Sequence, residues 1–252
     1  MVVMRKRLWI SAGCLVFGIS VLANMPAQLV IPESSGKLQL LGIGGSVWRG
    51  EVKQIVYDGK TLPVRDLKWK LRPTALFHGA LEAEFHEKQS PENHGKAVLD
   101  LLSRQYELQA VQWQLPGSSL DPWFRAGVGL QGQFTLDLQT LRLPANGLIP
   151  RRMQGRIDWQ GAALRMDSET WPIGWPLMQF SGEGDAIKGI ITNSQPLLPG
   201  DSSFECTAES CRVDLSLQPA PEAPPSLSNV LLLLGLQQTG NRFSGQLTLP
   251  MK

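Results

Sequence analysis

Several groups of residues in this 252-residue chain have the types and spacing that chemistry uses. Gly127-Val-Gly129-Leu-Gln-Gly132 matches the G-x-G-x-x-G fingerprint of dinucleotide sites. Such a site needs a helix after the last glycine, because the amides and dipole of its first turn hold the pyrophosphate. Here Phe134-Thr-Leu136-Asp-Leu138 follows and alternates as a strand, so the glycines are read as turn or bulge positions and no nucleotide is expected. His78, His86 and His94 are spaced by eight, neither the i, i+4 of a helical metal pair nor the i, i+2 of one strand face. Glu82 and Glu84 share a strand face turned to solvent, where a carboxylate pair lacks the cleft that acid–base work requires. No G-x-S-x-G elbow is present. Cys206 and Cys211, in Phe204-Glu-Cys206-Thr-Ala-Glu-Ser-Cys211-Arg-Val213, flank a stretch that suits a hairpin loop, whose strands come within disulfide range. Paired thiols are not nucleophiles, and zinc would need two further ligands that the neighbouring sequence does not supply. The expectation is a chain with no catalytic residue, no metal and no cofactor, and with a structural disulfide between Cys206 and Cys211.

The elements that must hold these residues alternate with period two. Gly79 leads into Leu81-Glu-Ala83-Glu-Phe85-His86, Gly132 into Phe134-Thr-Leu136-Asp-Leu138, Gly155 into Ile157-Asp-Trp159-Gln160, and Gly245 into Leu247-Thr-Leu249. Val111-Gln-Trp113-Gln-Leu115 and Val213-Asp-Leu215-Ser-Leu217 alternate without the glycine, and Gly50 and Gly189 begin less regular stretches. Alternation puts the apolar side chains on one face and leaves the other wet, whereas strands buried on both faces read as continuous apolar runs. The expected fold is therefore all-β and mainly antiparallel: a curved sheet, a roll or a sandwich. Turn signals agree at Asp58-Gly59, Ser90-Pro91-Glu92-Asn93, Pro116-Gly117, Ala145-Asn146-Gly147 and Pro199-Gly200-Asp201. The glycine spacing is too irregular for a solenoid, and a duplicated strand pair over 45–85 and 127–165 stays open. Residues 219–225, Pro-Ala-Pro-Glu-Ala-Pro-Pro, read as a stiff linker within the β domain. Residues 226–236 read as a short core-packed helix, capped by Ser226 or Ser228 and ended by Gly240.

Arg5-Lys6-Arg7 precede an apolar run over residues 8–31, interrupted by Asn24 and Gln28. As a helix that run is about 36 Å long, enough to cross a bilayer. The basic residues keep the tail 1–7 in the cytoplasm, so residues 8–31 form an anchor and 32–252 an exported β domain. A cleaved signal peptide is the competing reading, with an apolar core over 8–22 and Val21-Leu22-Ala23 as the cleavage site. Cys14 follows Ser11-Ala12-Gly13, but the apolar run continues past it, so it is read as a small residue in the membrane helix rather than a lipid-attachment site. Export suits the late cysteine pair, since disulfides persist outside the cytoplasm. A net charge of +2 gives no electrostatic footprint for nucleic acid.

Tryptophan is the remaining signal. Trp48, Trp69, Trp113 and Trp159 fall on strand patterns and are expected to anchor the core, because one indole buries a large area. Trp123, Trp171 and Trp175 lie in Asp121-Pro-Trp123 and Trp171-Pro-Ile-Gly-Trp175-Pro, turn-like sequence where aromatics serve as partner contacts.

An anchor, then Leu41-Gly-Ile-Gly-Gly-Ser-Val-Trp48-Arg-Gly50, then Leu67-Lys-Trp69-Lys-Leu71-Arg-Pro73 and Gly79-Ala-Leu81: this order resembles the type II secretion system protein N family, also called general secretion pathway protein N. The resemblance runs from the anchor through the late cysteine pair. Its motifs are structural, a Trp-x-Gly strand start and a Trp-x-Leu-x-Pro strand end. It implies a part in the envelope-spanning machine that exports folded periplasmic proteins across the outer membrane of Gram-negative bacteria. It further implies a single-pass inner-membrane protein with a cytoplasmic N-terminus and a periplasmic domain, and it carries over no catalytic residue. The partners implied are other secretion proteins and the inner-membrane bilayer. Two roles fit: an interaction subunit presenting a strand edge or loop surface, or a lipid-binding apolar groove like that of the AsmA-like group. A sandwich would fill its interior with the alternating apolar set, whereas a groove would leave Trp and Leu side chains lining a channel.

Overall fold

The computed structural model describes residue 20 and residues 24–123, 128–144, 150–166, 169–184, 186–193, 198–207, 209–221, 223–233 and 235–250. Residues 8–19 and 21–23 of the expected anchor, and Gly127 of the glycine motif, lie outside these. Among the described residues no helix is long and apolar enough to cross a membrane. Residues 24–31 belong to the β domain: Pro26 bridges Ser46, Ala27–Leu29 makes one 3-10 turn, and Ala27 is wholly buried against Ile43 and Val52. Two residues explain this. Pro26 has no amide hydrogen to continue a helix, and the Gln28 side chain donates to the Ile43 carbonyl at 2.7 Å. No helix therefore runs through these residues to Ile31, the end of the expected span.

Among the described residues, seventeen strands form one sheet. In chain order they are β1 (Ser34–Ser35), β2 (Leu38–Leu41), β3 (Gly44–Gly45), β4 (Arg49–Tyr57), β5 (Lys60–Arg72), β6 (Ala80–Glu87), β7 (His94–Asp100), β8 (Gln105–Pro116), β9 (Val128–Pro144), β10 (Arg152–Met166), β11 (Glu169–Gly174), β12 (Pro176–Glu183), β13 (Ala186–Asn193), β14 (Gly200–Thr207), β15 (Ser210–Leu217), β16 (Gln237–Thr239) and β17 (Arg242–Pro250). One α-helix among the described residues, α1 (Pro225–Leu233), precedes β16. Every pairing is antiparallel, and neighbours in sequence are neighbours in space from β4 to β10 and from β12 to β15. β12 closes on β10, and β17 on β15. No pairing among the described residues joins β17 back to β2 or β4, so the sheet is open rather than a barrel, and no second sheet faces it.

The turns collect at two ends. At the near end residue 24 enters the sheet: the Val47 amide donates to Met25 O at 2.9 Å, and the Leu71 amide to Trp48 O at 2.8 Å. The 3-10 turn Pro73–His78, the turn 101–104 and, several strands further along the sheet, the cysteine hairpin lie at this end. The far end carries the turn Asp58-Gly59, the loop 88–93, the 3-10 turn Gly117–Trp123 and α1.

Strict alternation puts apolar side chains on one face, and two local devices adapt it. In Leu108-Gln-Ala110-Val111 the apolar residues are three apart. Ala110 stands at φ 47° beside a register shift, a bulge that keeps Leu108, Val111 and Trp113 on the same side. The second device explains the recurring glycines. Gly50 pairs with Trp69, Gly95 with Phe85, Gly155 with Phe180, and Gly189 with both Phe180 and Phe204. Each ring lies over the glycine opposite. A Cβ on Gly50 would stand 2.1 Å from the Trp69 ring, on Gly95 2.5 Å from Phe85, on Gly189 2.3 Å from Phe204, and on Gly155 2.9 Å from Phe180 and 2.7 Å from Asp137 O. Glycine is needed there so that an aromatic can lie flat across the sheet and shield backbone.

The central cluster contains Val111, Trp113, Leu138, Phe180 and Ile187, flanked by half-buried Phe85, Leu136, Ile157 and Phe204. A second gathers Ala27, Ile43 and Val52 against Trp69. The third lies under α1, where Leu227 and Leu231 meet Phe243, Ile173 and Ala162. α1 starts at Pro225 and ends at Gly235, not Gly240. Gly235 takes φ 84°, its amide donates to Leu232 O, and the Leu236 amide donates to Leu231 O. That pair of bonds is a Schellman cap, and Leu231 and Leu236 supply its apolar contact. Gly240 instead sits in the tight turn of the β16–β17 hairpin. Segment 219–225 is strapped down: Pro219 is buried, its carbonyl accepts from the Asn241 side chain, and Ala223 packs on the third cluster.

Candidate functional site

Charged side chains on the wet face form cross-strand pairs rather than a catalytic constellation. Glu82 lies 3.2 Å from Arg72 and 3.0 Å from Lys96, and Glu84 also reaches Arg72. Arg142 meets Glu107 at 2.9 Å, Arg156 meets Asp137 at 3.3 Å, and Lys188 meets Glu205 at 3.1 Å. Partial burial pushes the Glu107 carboxyl up, but hydrogen bonds from Gln109, Arg142 and Thr140 and the Arg142 charge outweigh it and hold the group below its ordinary value. Asp100 is also held low, by the Ser103 and Leu102 amides that its side chain caps. The wet face across β9 to β15 contains a depression of about 930 Å³, lined by Asp137, Arg156, Gln179, Lys188, Ser203 and Glu205. Arg156 and Lys188 are paired with Asp137 and Glu205, and Asp214 adds a third carboxylate to the lining, so it holds no cluster of cations for an anion.

The histidine spacing has a meaning that linear reading misses. His94 is the first residue of β7 rather than a turn residue, and it is the direct register partner of His86 on β6. The loop Ser90-Pro91-Glu92-Asn93 centres the hairpin midway between them, which was the available signal. His94 Nδ1 lies 2.7 Å from Glu92 O. Two imidazoles are half the ligands of a structural zinc site. Among the described residues no group of three or more His, Cys, Asp or Glu gathers to complete one. Cys206 and Cys211 are register partners at the near end of β14 and β15 and are joined by a disulfide.

The tryptophans divide differently from expectation. Trp113 is buried in the central cluster. Trp69 packs on the N-terminal cluster and donates to Val47 O at 3.0 Å. Trp159 stacks on Phe134 with ring centres 4.6 Å apart and donates to Gln131 O at 2.8 Å. Trp48 lies in the bend before β4, half-buried, rather than on a strand. Trp171, read as a loop residue, is on β11 and only 8% exposed, because β11 extends beside β10 and turns that ring inward. Trp175 lies between β11 and β12, 41% exposed, and reaches the Asp158 side chain. Trp123 ends the turn Gly117–Trp123 at the far end. The three candidates therefore do not form one surface.

Two surfaces stand out that sequence reasoning did not single out. The edges of the sheet are unequal. β4 is covered by β2 and β3, and β2 by β1. β17 is covered only over Arg242, Phe243 and Ser244, by β16, so residues 245–250 have no strand partner on their outer side among the described residues. That stretch, Gly-Gln-Leu-Thr-Leu-Pro, carries no charge, although exposed edges are commonly blocked with lysine or a bulge. The second surface is the apolar tip made by Leu76, Phe77, Leu101 and Leu102, all exposed in near-end turns. Its sequence signal is an apolar pair in each of two turns where polar residues are the rule.

The family model described as type II secretion system (T2SS), protein N matches residues 36–244. The type II secretion system protein N of Vibrio cholerae is 28% identical over 206 residues, covering 79% of this chain and 76% of the relative. The protein of the same name from Aeromonas hydrophila is 22% identical over 251 residues, covering 95% of this chain and 97% of the relative. No solved structure matches the chain.

Proposed function

The chain belongs to the type II secretion system protein N family, and from that premise we propose that it is a non-catalytic component of the type II secretion machine that docks other components through the bare edge of its sheet. In this reading residues before Asn24 anchor it in the inner membrane, with the tail 1–7 in the cytoplasm and the β domain in the periplasm. The observation that carries it is the unequal treatment of the two edges. One is capped by three short strands, while over residues 245–249 of β17 the backbone groups that point away from β15 have no strand partner among the described residues and can take an extended segment of a partner. Trp175 and Trp123 serve as secondary contacts at the far end. The lipid-groove reading has less support: the apolar face is not roofed by a second sheet, yet the large depression lies on the wet face.

The test is photocrosslinking in secreting cells from a benzophenone amino acid at Gln246 or Thr248, with Trp175 in parallel. Adducts with identified secretion proteins from the two β17 positions are expected. Adducts from Trp175 alone would move the docking site to the far end, and lipid adducts alone would favour the groove. A periplasm-dependent reporter fused after Val30 should be active, and cytoplasmic activity would overturn the topology.

A further inference from the structure

We propose that the near-end turns carrying Leu76, Phe77, Leu101 and Leu102 are a membrane-contact tip that inserts into the surface of the bilayer from which the chain emerges. This rests on the anchored reading above. The two turns are one structural unit. The Leu101 amide donates to Gly79 O at 2.9 Å, and a Cβ on Gly79 would lie 3.6 Å from the Leu102 side chain. The second turn is pinned by Asp100, whose carboxylate accepts from the amides of Leu102 and Ser103 at 2.8 and 3.0 Å. Yet the rings and branches it presents face solvent: Phe77 is 89% exposed and Leu102 88%. A fixed backbone that holds four large apolar side chains outward has no use in water, where burying them is favourable.

The place of the tip identifies what covers it. The chain enters the sheet at Met25, whose carbonyl accepts from the Val47 amide, and Trp48 O accepts from the amide of Leu71, two residues before the Pro73–His78 turn begins. The turns on β5 to β8 therefore lie within about 20 Å of that entry, at a strand spacing of about 4.8 Å. The apolar run over 8–22 immediately precedes it. A bilayer holding that run meets the near end first. Exposed Arg104 and Arg151 at the same end supply positive charge that phospholipid headgroups attract. At the far end the corresponding turns are Asp58-Gly59 and Ser90-Pro91-Glu92.

The experiment places a polarity-sensitive nitrobenzoxadiazole label on the full chain in phosphatidylethanolamine–phosphatidylglycerol vesicles with and without spin-labelled lipid. Label sites are Phe77→Cys, Leu102→Cys and the far-end control Glu92→Cys, each with Cys14→Ser; Cys14 of the unsubstituted chain reports the anchor. Blue-shifted emission quenched by spin-labelled lipid is expected at Phe77→Cys and Leu102→Cys, with water-like, unquenched emission at Glu92→Cys. Quenching at Cys14 but at neither tip position would overturn the tip and leave the anchor standing. Quenching at the tip but not at Cys14 would uphold the tip and overturn the anchor. Quenching at all positions including Glu92→Cys, or at none, would overturn the tip.

Discussion

Gly50→Ala tests the aromatic row most directly, because at Gly50 the three nearest atoms to an added Cβ all belong to the Trp69 ring, at 2.1, 2.5 and 2.6 Å. No φ in the left-handed region is involved, so the backbone itself accepts alanine. The methyl must push the indole aside. Overpacking of this kind costs about 1–3 kcal/mol. Moving the ring also breaks the Trp69 Nε1 bond to Val47 O, a further ~1 kcal/mol. The sum is about 2–4 kcal/mol, or roughly 4–16 °C in Tm for a chain of this size. Trp69→Leu alone loses ring burial, with about 3–5 kcal/mol as the upper range set by full truncation. The informative variant is the double one. With the ring gone, alanine at Gly50 meets open space and restricts the unfolded chain, so the second substitution should be neutral or slightly stabilising. Urea unfolding of the four chains, followed by far-ultraviolet circular dichroism, should give a coupling energy of at least about 2 kcal/mol. Additive losses would refute the reasoning, because the backbone rather than the ring would then be what requires glycine.

Two further outcomes follow from buried and paired polar groups. Asn93 is 2% exposed; its Nδ2 donates to Glu87 Oε2 at 2.7 Å and to Gln114 O at 2.9 Å, and its Oδ1 accepts from the Gln114 amide at 2.7 Å. Asn93→Leu keeps the volume, removes three bonds and strips a buried carboxylate of a donor, so a loss of about 3–5 kcal/mol is expected by urea unfolding; a loss under about 1 kcal/mol would contradict the network. Glu107 is held below its ordinary pKa in the folded chain, so it adds stability above the ordinary carboxylate range that disappears as pH falls through the folded value. Glu107→Gln should therefore be less stable than the parent at neutral pH and converge with it in strong acid, as read by Tm against pH; parallel curves would exclude the pairing as the cause.

The strands were legible because one wet face forces period two, and Val111-Gln-Trp113-Gln-Leu115 lies on β8 as the pattern requires. The glycines were visible as a recurrence, but their reason was not. Gly189 matters because Phe180 and Phe204 lie across from it, and cross-strand neighbours are set by register, which no local window contains. The same blindness hid the His86–His94 pair. The docking of Ala27 and Ile31 on the sheet was hidden for another physical reason: an apolar residue gains as much by packing on a sheet as by entering lipid. Asn24, Pro26 and Gln28 were the local marks of the difference.

Whether the sheet closes was not written in any segment, since closure depends on twist accumulated over many strands. From β4 to β17 there are eleven steps through the main meander. At about 20–25° per step the last strand is turned by roughly 220–275° relative to the first. From β5 to β8 the turn is only about 60–75°, so their near-end turns can rest together on one flat surface, whereas those of β12 to β17 are carried away from it. Side-chain chemistry follows the same division. The near-end turns on β5 to β8 carry Leu76, Phe77, Leu101, Leu102 and Arg104, while later near-end positions carry Glu183 and Glu209. On the proposed reading a twisted open sheet thus separates the lipid-contacting tip from the edge 245–250, which has no strand partner on its outer side among the described residues. A closed barrel of the same strands would keep the near-end turns but have no free edge.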